Sequence, residues 1–247
     1  MEDREKSPKL RSLIWVGIIC LALGISVGVS AINQRPFDLL PTMLRGVVVT
    51  AKLTGGATVL AFIVALIAGV ARTSRNFVIR GLSSLYVEFF RGSSALVQMF
   101  WIFFVLPLPP FRVTLTSLQA GILALGLNVG AYGAEVVRGA ILAIPRSQIE
   151  ATIALNMKPF MVLRRVILPQ AMVRILPPFG NLMIELLKAT ALVSLITLPD
   201  VTFQTLSLRM TVGRTTELFT LLLIIYFLLA YPLTLGVRWL ERQRRWA

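Results

Sequence analysis

Apolar residues fall along the chain in long runs separated by short basic or proline-rich stretches. Six runs stand out, at 13–32, 47–71, 95–107, 118–137, 182–198 and 218–237. A helix rises about 1.5 Å per residue, so about 20 apolar residues cross a hydrocarbon core of about 30 Å. All but the third run reach or approach that length, and the expectation is six membrane-crossing helices. The run 95–107 is short and is closed by Pro107, Pro109 and Pro110, which cannot continue a helix. The first run has a competing reading as a signal peptide, because Ser30 and Ala31 resemble a cleavage site. Its length, and Glu2, Asp3 and Glu5 ahead of it, favour a retained helix.

Composition agrees with the pattern. The 247 residues are 56% hydrophobic with a mean hydropathy of +0.80, outside the range of soluble domains. The net charge of +14 would suggest nucleic acid in a soluble chain. Here the basic residues flank apolar runs without interleaved aromatics, so nucleic acid is excluded as a partner. The chain has no histidine and its only cysteine is Cys20, which removes disulfides, His-based metal sites and Ser-His or Cys-His catalysis. Lys and Arg accumulate on the cytoplasmic side of spans. Four clusters, at 4–11, 72–91, 138–174 and 238–245, put both termini and the 138–174 loop in the cytoplasm. Arg35, Arg45, Arg112, Arg209 and Arg214 fall outside, and Lys52 and Lys188 at membrane depth.

Within that loop, EATIALNMKPFMVLRRVILPQA (150–171) reads as two short helices meeting at a bend. Ile149, Ile153 and Asn156 share one face, and Ala151, Ala154 and Leu155 an adjoining one. Pro159 suits the first turn of a second helix, in which Phe160, Leu163 and Ile167 repeat until Pro169. Such a pair either lies on lipid headgroups, aided by Arg164 and Arg165, or presents a knob to a soluble partner.

The residues Glu150, Ala151, Leu168 and Pro169, followed by Gln170 and Ala171, resemble the cytoplasmic "EAA" loop of ABC importer permeases. YVEFFRGSSALVQ (86–98), NVGAYGAEVVRGAILAIP (128–145), LPPFGN (176–181) and LLKATAL (186–192) are similar to the polar amino-acid branch of that family, and TALVSLITLPD (190–200) to permeases for ectoine-like compatible solutes. The pattern departs at Asn156, where glycine is usual, and at Ser147, Ser94, Ala189 and Ala191. Asn is the mildest replacement for glycine, since it readily enters the left-handed conformation that ends helices.

The resemblance implies an all-α polytopic membrane protein with the type I ABC importer permease fold. Its five-helix core would occupy 47–242, with an added helix in 1–46 and a coupling loop at 138–174. It implies the bacterial inner membrane, a second identical or homologous permease, two ATPase subunits and an extracytoplasmic solute-binding protein. The solute would be an amino acid or a compatible solute. ATP and Mg would belong to the partner ATPase, and this chain would carry no cofactor and no catalytic site. The sequence has no Gly-Lys dipeptide and hence no Walker A loop. Glu150, Ala151, Leu155 and Asn156 would form the ATPase-docking helix, opened by Glu150, with Pro159 to Pro169 bracing it.

Charges at membrane depth usually face a cavity or a partner. Glu185 and Lys188, three apart on one helix, either neutralise each other or border a solute path with Gln98, Asn128 and Tyr132. Glu135 and Arg138 share the same spacing near the cytoplasmic end and read as a structural pair. An ion-coupled secondary transporter is the alternative function; no internal repeat of the kind such carriers show is present. A membrane enzyme would need a catalytic constellation that isolated carboxylates do not supply.

Overall fold

The computed structural model describes residues 39–243. The expected first span, 13–32, lies outside them. Helix α1, Leu40–Ala71, starts with Pro41 in its first turn and so begins ahead of the expected boundary at 47. One face of α1 buries Thr50, Leu53, Ala57, Ala61, Ala65 and Ala68, spaced by three or four residues. That stripe meets Ala120, Ala124 and Ala134 of α4, Ser117–Leu142. Lipid tails are as apolar as leucine, so helices in a membrane associate through close packing, and small residues permit it. A Cβ on Gly69 would come within 2.5 Å of Val137, and one on Gly46 within 2.7 Å of the backbone of Asp200 and Val201.

Between α1 and α4 the chain departs from expectation. The stretch after Arg72, expected as a cytoplasmic loop, forms α2, Phe77–Gly92, with Asn76 accepting from the Val78 N–H at its start. Arg80, Glu88 and Arg91 lower its hydropathy without disturbing its helical period. A break at Ser93 and Ser94 leads into α3, Ala95–Phe100, extended by a π-helical turn at Trp101–Val105. These apolar turns are too short to cross a bilayer on their own. The 95–107 run is therefore the second part of a broken element. Thr116 then caps α4 in a reciprocal capping box with Gln119.

Beyond α4 come α5, Arg146–Ala154, and α6, Pro159–Val162. A π-helical turn at Leu163–Ile167 joins α6 to α7, Leu168–Ala189, which continues as a 3-10 turn, Thr190–Ile196. Pro169 does not end a helix, contrary to the sequence reading. It stands in the first turn of α7, where its missing N–H is tolerated, directly after the widened turn that shifts the hydrogen-bond register. The helix also runs through Pro177 and Pro178, so the fifth span starts well ahead of 182. Asp200 caps α8, Val201–Val212, and Gly213 at φ 72° ends it. The last helix, α9, is Thr215–Gln243. Four stretches among the described residues are long and apolar enough to cross a membrane: α1, α4, Pro159–Ile196 and Thr215–Trp239.

Candidate functional site

The loop after α4 has the bent geometry that its sequence suggests. Helix α5 ends at Ala154, and Asn156 takes φ 52°. The Asn156 N–H donates to the Ile153 carbonyl at 2.9 Å and the Met157 N–H to the Thr152 carbonyl at 3.1 Å. Those paired bonds are a Schellman ending, with Asn in the place glycine usually holds. Extended Lys158 then leads into α6, whose first residue is Pro159. Glu150 does not open the docking helix: α5 starts at Arg146, because the extended Pro145 ends the preceding turn and leaves the next residue free to start a helix. Ala151, Leu155, Asn156, Pro159 and Pro169 are exposed, as are Glu150, Ile153 and Phe160. Ile153, Leu155 and Phe160 thus leave an exposed apolar surface around the bend.

The ends of α1, α2 and α4 that meet at Glu135 are tied by charge. Glu135 on α4 pairs with Arg138 at 2.9 Å, as its spacing suggests, and also with Arg72 from the end of α1 and with Arg91 of α2 at 3.4 Å. Arg72 reaches Glu88 of α2 at 3.8 Å as well. One carboxylate thus joins three elements. Tyr132, expected on a solute path, lies under the Arg91 guanidinium, 5.4 Å from ring to charge, and belongs to this cluster.

Gln98 and Asn128 also have a structural task. Both are buried. Gln98 donates to the Phe90 carbonyl at 2.9 Å and the Ser93 hydroxyl at 2.7 Å, while Asn128 donates to the same Phe90 carbonyl and to the Gln98 side-chain oxygen. The break between α2 and α3 frees carbonyls that lipid cannot satisfy, and these two amides take them up.

Glu185 and Lys188 do not pair. The four ion pairs among the described residues all converge on Arg72 or Glu135. Lys188 stands in the last turn of α7, where the helix dipole favours a cation. It lines a groove of about 910 Å³ between α7, α8 and α9, together with Thr202, Tyr226, Tyr231, Thr234 and Arg238. Among the described residues, no carboxylate lines the groove. Glu185 is exposed outside it. Behind the groove wall lies Asp200, which sequence reading did not single out. It is fully buried, accepts from the Phe203 N–H at 2.8 Å and lies 3.4 Å from the Tyr226 hydroxyl, which itself meets Thr202 at 3.0 Å. Burial holds its carboxyl above the usual aspartate range, its hydrogen bonds opposing only in part. Its one sequence signal is an acidic residue at the N-cap position of a helix.

This fold has known relatives. The family model for the binding-protein-dependent transport system inner membrane component matches residues 57–246. A probable amino-acid ABC transporter permease protein, y4tF, of Sinorhizobium fredii (strain NBRC 101917 / NGR234) is 44% identical over 214 residues, covering 85% of this chain and 90% of that protein. The glutamine transport system permease protein GlnP of Escherichia coli (strain K12) is 31% identical over 210 residues, covering 83% and 94%. Among solved structures, a crystal structure of an amino acid ABC transporter with histidines superposes with a TM-score of 0.76 at 32% identity, covering 84% of this chain and 96% of that one. The chain belongs to the inner-membrane components of binding-protein-dependent transport systems. It is an ABC permease subunit, and the ATPase is a different subunit. None of these relatives is described as carrying ectoine-like solutes, so the compatible-solute reading of TALVSLITLPD has no support among them.

Proposed function

We propose that the chain is the membrane pathway of an ATP-driven importer for a small polar or zwitterionic amino acid, with both termini in the cytoplasm. Two relatives named for amino-acid and glutamine permeases, each matching most of the chain, support that solute class. The partners are two ATPase subunits on the cytoplasmic face, a second copy of this chain or a homologous permease, and an extracytoplasmic binding protein that delivers solute. The observation that carries the coupling role is helix α5, exposed along most of its length and ended by the left-handed Asn156. Closure of the ATPases would push on α5, and the continuous path through α6, the π turn and α7 would pass that push to the groove as a rigid-body motion. Glu150, Ala151, Leu155 and Asn156 form the contact, and Pro159 to Pro169 the brace.

Of the five residues expected along a solute path, Lys188 is the one lining the groove. Its ammonium, beside Tyr and Thr hydroxyls and with Arg238 in the same lining, suits the carboxylate of an amino acid. The ion-coupled secondary transporter gains no support from this geometry.

The coupling role is tested with Glu150→Lys. Solute-stimulated ATP hydrolysis and transport should fall while the abundance of the chain in the membrane stays near normal. Full transport with the reversed charge would return α5 to the lipid-surface reading.

A further inference from the structure

A second groove, of about 700 Å³, opens where the cytoplasmic end of α1 meets α6. It is lined by Leu66, Ile67, Val70 and Ala71 of α1, Ile79 of α2, and Pro159, Phe160, Leu163 and Leu168 around α6 and the π turn, with Thr73 and Ser74 at one edge. Ile67 is 67% exposed and Phe160 71%, so the groove is open and oily along most of its length.

Basic residues flank its lining segments in sequence. Ser74 precedes Arg75, Ile79 precedes Arg80, Lys158 precedes Pro159 and Leu163 precedes Arg164, and all four basic residues are exposed and in no ion pair among the described residues. The two stretches that build the groove, 66–79 and 158–168, contain no Asp or Glu. Positive charge at the cytoplasmic end of a span follows from orientation alone. Its placement beside the lining residues of one apolar trough does not.

We propose that this groove holds an anionic phospholipid, with an acyl chain along Leu66, Ile67, Val70 and Leu163 and the phosphate among Arg75, Arg80, Lys158 and Arg164. The apolar part rises along the last turn and a half of α1, continuous with its long apolar stretch, where an acyl chain finds apolar side chains to lie against. Phosphate held by several cations complements the rim. Because α6 forms one wall, the lipid would be part of the seat on which the coupling helix rests, and the lipid around the protein would influence how firmly α5 is held.

The test uses the full chain in its native assembly, delipidated in detergent, with lipid retention followed by native mass spectrometry. Dioleoyl-phosphatidylglycerol, dioleoyl-phosphatidylcholine and soluble glycerol phosphate are added separately. Phosphatidylglycerol should be retained about tenfold more strongly than phosphatidylcholine, given a contribution from each nearby cation. The triple variant Arg75→Gln, Arg80→Gln, Arg164→Gln should remove that preference. Ile67→Trp, which fills the trough from an exposed position, should weaken retention of both lipids. Removing exposed charge elsewhere, as Arg45→Gln with Arg112→Gln, should leave the preference intact. Equal retention of the two lipids, glycerol phosphate binding as strongly as phosphatidylglycerol, or equal loss of preference in the Arg45 and Arg112 variant would each overturn the site. So would a triple variant that sheds a protein subunit while keeping its lipid, since the rim would then face protein.

Discussion

Glu135 and Lys188 both stand on membrane-spanning helices, and the structure treats them in opposite ways. Glu135 is wrapped by Arg72, Arg91 and Arg138, at the foot of a seam where alanines and glycines bring α1 and α4 into close contact. Lys188 faces an open groove with Tyr and Thr hydroxyls and, among the described residues, no carboxylate. A charge inside a membrane is costly, and it persists when neutralised by the fold or when used by a ligand. The first region is the rigid frame, with its charges satisfied internally. The second, with the exposed loop that leads to it, is left unsatisfied and is where the proposed solute and ATPase contacts fall.

The largest effect should come from wedging the frame. Gly46→Val puts a side chain 2.7 Å from the backbone of Asp200 and Val201, which cannot yield as a side-chain tip can. Destabilisation of about 3 kcal/mol or more is expected, at the upper end for overpacking, seen as loss of the folded subunit from membranes. Normal abundance would mean that α1 and α8 are not locked together.

Glu135→Gln should come next. It leaves three guanidiniums without their carboxylate, at about 2 kcal/mol, between the values for exposed and buried pairs. A melting temperature lowered by a few degrees would check it.

The open region should answer differently. Asn156→Gly should couple as well as the native chain or slightly better, and Asn156→Val should carry strain of about 1 to 3 kcal/mol at φ 52°. The Val variant should fold and insert, yet transport poorly with weakened ATPase association. Equal activity of the two variants would contradict the left-handed bend.

The smallest effect is a pH dependence behind the groove wall. With its folded-state pKa raised by burial, Asp200 contributes stability that is fully present below the ordinary aspartate range and is lost as pH rises through the raised value. Asp200→Asn, which keeps a capping side chain, should flatten that part of the stability profile. An unchanged slope would show that Asp200 is not the titrating group.

The features legible in the sequence were those set by local chemistry. Asn156 as a left-handed helix end, Glu135 with Arg138 and the long apolar helices all follow from one residue's preference or from spacing along one helix. What escaped depended on the third dimension. Helix α2 was hidden because Arg80, Glu88 and Arg91 lower its hydropathy, and two of those charges are neutralised by Arg72 and Glu135, distant in sequence. Gln98 and Asn128 looked like solute ligands, although their partners are the backbone carbonyl of Phe90 and each other. Glu185 and Lys188 have the spacing of a pair, but the helix ends one residue after Lys188 and the lysine turns to the groove. Pro169 looked like the end of a helix because a π turn cannot be read from composition, and the fifth span was started at 182 although its helix runs through Pro177 and Pro178.

The contrast between a neutralised frame and an open charge is tested most directly by Lys188→Gln, with transport and thermal stability measured on one reconstituted preparation. Loss of a charge-assisted contact to solute should lower uptake at limiting solute concentration by about tenfold or more. The melting temperature should stay at the native value, since Lys188 has no ion-pair partner among the described residues to lose. Native uptake, or a fall in melting temperature like that of Glu135→Gln, would contradict the account.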